Sequence, residues 1–79
     1  MKIKFSPRQG QYLSFIYYYT KIHRIPPAEA DIQRYFEFSP SSIHQMILSL
    51  EKRNLIKRVP GQARSIVVLV PREHIPELE

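Results

Sequence analysis

Seventy-nine residues make one small domain, able to bury about 60% of the surface its unfolded chain exposes. With 43% apolar and 24% charged residues the chain falls in the globular range, which excludes wholesale disorder. The absence of cysteine excludes a disulfide framework, a thiolate metal site and a Cys nucleophile, and points to a reducing, cytoplasmic compartment.

In chain order, Ser6-Pro7-Arg8-Gln9 reads as a helix start. The Ser6 hydroxyl can accept from the Gln9 amide, Gln9 can reach back, and proline fits the first helical position. Leu13, Ile16, Tyr17 and Thr20 then recur at helical spacing, with Tyr12, Phe15, Tyr19 and Ile22 as a neighbouring stripe, so the first helix spans about 7–22. The apolar run Tyr12–Tyr19 is too short to cross a bilayer, and Met1–Pro7 lacks the pattern of a signal peptide.

Pro26 and Pro27 end that helix and introduce a second, about 28–36. Glu29 and Asp31 suit the positive end of its dipole, and Ala30, Ile32, Tyr35 and Phe36 are its expected buried stripe. Ile25, just before it, is placed as a one- or two-residue strand. Ser39-Pro40 repeats the hydroxyl-cap-and-proline start. Ile43, Met46, Ile47 and Leu50 mark the core side of a third helix, about 40–53, which Asn54 can close in the left-handed conformation. Its opposite side holds Ser41, Gln45, Leu48 and Lys52, with His44 and Ser49 on the flanks. "LIKRV" and "SIVVLV" then change the period to that of strands. Pro60-Gly61 between them signals a type II turn, which predicts a hairpin of 55–59 with 65–70. Pro71 stops it, so the expected organisation is a domain over 1–71 and a tail over 72–79.

The formal net charge is +5, and its sign is unevenly placed. Residues 38–72 hold six basic groups and one acid, Glu51, while the other acids sit in the second helix and the tail. Such a separation is expected of a surface that meets nucleic acid. The outward side of the third helix carries hydroxyl, amide and imidazole groups in place of the usual Glu–Lys mixture. A carboxylate there would be repelled by phosphate, whereas Ser, Gln and His can hydrogen-bond base edges. The plainer reading of the same face is a solvated one over a three-helix core. Lys52, Arg53, Lys57, Arg58 and Arg64 are candidate phosphate contacts, which set affinity and register without reading sequence. Strand alternation sends Lys57 and Arg58 to opposite faces, and Arg64 at the wing tip is the stronger candidate of the hairpin.

Three helices followed by a two-stranded hairpin make a mainly α, winged helix-turn-helix fold, whose third helix enters the major groove while the hairpin lies on the backbone. Within that pattern, "SPRQGQYLSFI", "IPPAEADIQRYFEF" and "SP…LIKR…SIVVL", over about residues 5–70, resemble the N-terminal DNA-binding domain of LexA-type repressors. The resemblance implies base reading from the N-terminal half of the third helix, at the positions of Ser39, Ser41, Ser42, His44 and Gln45. It also implies a phosphate contact at Arg8, where a solvent-facing arginine is the plain alternative. The reading positions depart from the family's usual Asn, Ala and Glu, and the turn before the third helix is one residue shorter, so a different operator is expected. The family's self-cleaving, dimerising domain has no counterpart within these residues.

The expected function is therefore sequence-specific binding of double-stranded DNA by a transcriptional regulator of repressor type. The alternative is a winged-helix module that binds another protein. A single module binds weakly, so a homodimer or a partner protein is expected, through the first helix, where Tyr18 is outermost, or through the tail. No cofactor, metal, membrane or small-molecule substrate is implied. The three histidines lack metal spacing, and there is no nucleophile–base pair or glycine-rich phosphate loop, so no enzyme is expected. The aromatic run "FIYYYT" points in several directions around a helix, which suits core packing better than a stacking platform.

Overall fold

The computed structural model describes residues 4–79; the reading of Met1–Ile3 as part of the N-terminal segment lies outside them. Helix α1 (Pro7–His23) starts as the sequence suggests. The Gln9 amide donates to Ser6 Oγ at 3.1 Å and the Ser6 amide donates to Gln9 Oε1 at 2.9 Å, the reciprocal cap. It ends at Arg24 in the left-handed conformation (φ 62°). Helix α2 (Glu29–Phe36) has an alanine at its cap position, so Asp31 does the capping, its Oδ2 accepting from the Ala28 amide at 2.9 Å. Helix α3 (Pro40–Lys52) is capped by Ser39, whose Oγ accepts from the Ser42 amide at 3.2 Å. Its far end closes with the Leu55 amide donating to the Leu50 carbonyl and the Asn54 amide to that of Glu51. Asn54 is at φ 60°, and this paired closure turns the chain directly into the hairpin.

Strands β1 (Ile56–Lys57) and β2 (Val67–Val68) pair antiparallel, Ile56 opposite Val68 and Lys57 opposite Val67. The ladder is shorter than the expected 55–59 with 65–70. Beyond Lys57 the Ser65 hydroxyl replaces backbone pairing, accepting from the Val59 amide at 2.8 Å and donating towards the Val59 carbonyl. The turn itself follows the sequence: the Gln62 amide donates to the Val59 carbonyl, and Gly61 sits at φ 81°, as a type II turn requires. Ile25 joins no ladder and is exposed, because the sheet of the described residues has only two strands.

Leu13 and Ile16 of α1, Ile32 of α2, and Ile43, Ile47 and Leu50 of α3 meet in one core, closed by Leu55, Ile56, Ile66 and Val70 of the hairpin. Tyr12 stacks on Phe36 at 4.4 Å between ring centres. Three residues expected inside lie outside. Ile22 is 71% exposed, since α1 buries only residues in its first ten positions and its last turn runs on past its neighbours. Ala30 is exposed, and Tyr35 sits at the surface with its hydroxyl donating to the Glu79 carbonyl at 2.7 Å. Tyr18, expected outermost on α1, is half-buried.

Residues 72–79, expected as a tail, pack onto α1. The Gln11 amide donates to the Glu77 carbonyl at 2.9 Å and accepts from the Glu79 amide at 2.8 Å, while Ile75 and Leu78 touch the core. Gly10 permits this approach: a Cβ there would meet Pro76 at 3.1 Å and Phe5 at 2.9 Å. The architecture is a winged helix-turn-helix, with α3 and the hairpin joined by a single closing turn.

Candidate nucleic-acid interface

The register of α3 decides which side chains can face a partner. With Ile43, Ile47 and Leu50 buried, Ser41, Ser42, His44, Gln45, Leu48 and Lys52 are exposed along the other side. At the start of the helix Ser39 Oγ donates to Ser42 Oγ at 2.9 Å and lies 3.3 Å from Ser41 Oγ. Ser39 is therefore primarily the cap, and Ser41 and Ser42 gather around it. No acid occupies this first turn, so the positive end of the helix is open to negative charge. Gln45 follows one turn later and lines a shallow groove between α1 and α3 together with Arg8, Ser42 and Ser49. The Arg8 guanidinium lies over the Phe38 ring, 4.9 Å from its centre, which holds the charge at the rim of that groove.

The six candidate phosphate contacts separate into two groups. Arg8, Lys52 and Lys57 are exposed and make no ion pair among the described residues. The other three have their head groups engaged within the fold. Arg53 donates to Gln9 Oε1 at 2.8 Å and to the Lys4 carbonyl at 2.6 Å, tying the end of α3 to the start of α1. Arg58 is half-buried and pairs with Glu51 at 3.2 Å, so alternation does separate it from exposed Lys57. Arg64, expected at the wing tip facing outward, turns back instead. It pairs with Asp31 at 3.0 Å and donates to the Pro26 carbonyl at 3.2 Å and the Tyr19 hydroxyl at 3.3 Å. The reason is the mostly buried Asp31 carboxylate, 13% exposed, which draws a closer cation than Arg34, whose own contact is longer at 3.6 Å.

Burial alone would raise the Asp31 carboxyl. The Ala28 amide, the Arg64 charge and hydrogen bonds from Arg64 and Tyr19 outweigh it and hold the group below the usual carboxylate value. A depressed acid stabilises the fold above the unfolded carboxyl value of about 4, and that stabilisation is lost as pH falls through the lower folded value. Asp31→Asn is therefore expected to destabilise the domain at pH 7 by about 1 kcal/mol, solvent at the rim screening the pair. The difference from the parent should shrink below about pH 4, read from urea midpoints across pH.

One neighbour of this face was invisible in the sequence. Glu29 brings its carboxylate to within 3.1 Å of His44 Nδ1, so the face that carries no acid along α3 gains one in space from α2. On its other side Glu29 lines a cleft with Arg58 and the turn residues Gly61 and Gln62, which places the wing beside the α2–α3 edge. Among the described residues no group of His, Asp and Glu is placed to hold a metal ion, and no helix is long and apolar enough to cross a membrane.

The family model for the LexA DNA binding domain matches residues 2–65. Among curated proteins, a LexA repressor of Thermosipho melanesiensis is 32% identical over 72 residues, covering 91% of this chain and 36% of that protein. A LexA repressor of Thermosipho africanus is 37% identical over 59 residues, covering 75% of this chain and 30% of that protein. The chain spans about a third of the length of these relatives. Taken with the fold, these matches show that the chain belongs to the LexA DNA-binding-domain family.

Proposed function

We infer that this domain binds double-stranded DNA sequence-specifically, as the DNA-reading part of a transcriptional repressor. In this reading α3 enters the major groove and presents Ser41, Ser42, His44 and Gln45 to base edges, with Ser39 holding the helix start. Arg8, Lys52 and Lys57 meet phosphates on either side. Arg53, held by neutral acceptors, adds positive field from within the fold, while the charges of Arg58 and Arg64 are balanced by Glu51 and Asp31. The observation that carries this is the exposed Ser41–Gln45 edge, flanked by cations whose head groups are not engaged in ion pairs. The two relatives named as repressors support the regulatory role. One module of this size buries about 600–1,000 Å² of its own surface on DNA, so a second copy on a symmetric half-site is the expected assembly. In this reading the domain acts where chromosomal DNA is, in the cytoplasm.

The test is a titration of duplex DNA at several salt concentrations. Affinity should fall linearly on logarithmic axes, with a slope of about −0.9 for each phosphate neutralised. Lys52→Ala and Lys57→Ala should each flatten that slope by about one while weakening all duplexes alike. An absence of duplex binding at low salt, or binding indifferent to salt, contradicts the reading.

A further inference from the structure

Glu29, the first residue of α2, faces His44 in the second turn of α3, its two carboxylate oxygens 3.1 and 3.2 Å from imidazole Nδ1. A carboxylate offers only acceptor sites, so the proton on that contact belongs to Nδ1. The imidazole side chain is 50% exposed, and its second nitrogen, Nε2, has no protein partner among the described residues. The role of one ring nitrogen is set by the hydrogen bond the other makes. With Nδ1–H committed to Glu29, a neutral ring therefore presents Nε2 as a bare acceptor.

The charges around this pair leave Glu29 to His44. On α2, Asp31 is taken by Arg64 and by Arg34. On the hairpin, Arg58 lines the same cleft as Glu29 but is paired with Glu51. Along α3 the neighbours of His44 one turn away, Ser41 and Leu48, carry no charge. In the major groove the donors that an acceptor can meet are the exocyclic amino groups, N6 of adenine and N4 of cytosine; guanine and thymine show acceptors there.

Resting on the DNA reading above, we propose that Glu29 is a positioning residue that holds His44 as an Nε2 acceptor, so that this domain selects adenine or cytosine at the base facing His44.

Selection from a random duplex pool at low salt and about pH 8 tests this with the parent, His44→Ala, Glu29→Gln and the double variant. The parent is expected to enrich adenine or cytosine at one position about fivefold or more. His44→Ala removes that preference. Glu29→Gln keeps the side-chain size but can offer either oxygen or NH₂ to Nδ1, and so blurs the preference at that position alone. In the His44→Ala background Glu29→Gln changes the consensus no further. Guanine or thymine at that position overturns the proposal, and so does a Glu29→Gln effect that persists without His44. Nitrogen-15 spectra of the imidazole in the free protein give a readout that does not need DNA: a proton on Nδ1 is expected, and a neutral ring protonated on Nε2 overturns the proposal. If the parent binds no duplex at low salt the DNA reading itself fails, and that result is seen before any variant is compared.

Discussion

Ile32→Ala is expected to cost about 2–5 kcal/mol of stability. Helix α2 has eight residues, far too few to be helical alone, so packing holds it. Ile32 is its one fully buried side chain, at 0% exposed, set against α1 and α3. A chain of 79 residues has only about 4–12 kcal/mol to lose. At about 4–8 °C per kcal/mol, the melting temperature should fall by at least about 8 °C, followed by circular dichroism. Leu48→Ala is the control: that side chain is 40% exposed, and its loss should change stability by no more than about 0.5 kcal/mol. A loss below about 1 kcal/mol for Ile32→Ala would mean that something other than Ile32 pins α2. The consequence reaches function, because α2 carries both Glu29, which faces His44, and Asp31, which holds Arg64.

What the sequence made legible was local. The caps at Ser6 and Ser39 close over three residues, and the stop at Asn54 and the turn at Pro60-Gly61 depend on the conformational range of one or two residues. The two faces of α3 were equally readable, since 100° per residue fixes which positions share a side once Ile43, Ile47 and Leu50 are taken as core. What was not legible depends on where long side chains reach. Arg64 finds Asp31, Pro26 and Tyr19, all far back in the chain, and Arg53 finds Gln9 and Lys4. Counting positive charge between residues 52 and 72 could not separate cations held by the fold from cations facing solvent. The same blindness hid Glu29 beside His44, fifteen residues away, and the docking of residues 75–79 through Gln11 and Tyr35. Periodicity also overstated burial at Ile22, because it assigns a face and says nothing of how far neighbouring elements extend.

Gln45→Ala is expected to relax preference at one base pair by about 1–3 kcal/mol, roughly 5- to 150-fold in discrimination, and to leave stability unchanged. The side chain is exposed on α3 one turn beyond the capped start, where the helix end is positive and no acid stands in the first turn. Its amide carries a donor and an acceptor side by side, the pair that matches N7 and N6 of adenine. Such a match has value only if the amide is held in register. Arg8 lines the same groove and is steadied over Phe38, so a phosphate contact there would fix how deeply Gln45 enters. Arg8→Ala should therefore weaken all sequences and also soften discrimination at the Gln45 position, whereas Lys52→Ala, a full two turns further along α3, should weaken binding without touching it. Competition between the selected site and single-base variants separates these outcomes. An unchanged consensus for Gln45→Ala would mean that α3 meets DNA through a different edge, and the serines at its start would then have to carry the reading alone, with hydroxyls that accept and donate to almost any base.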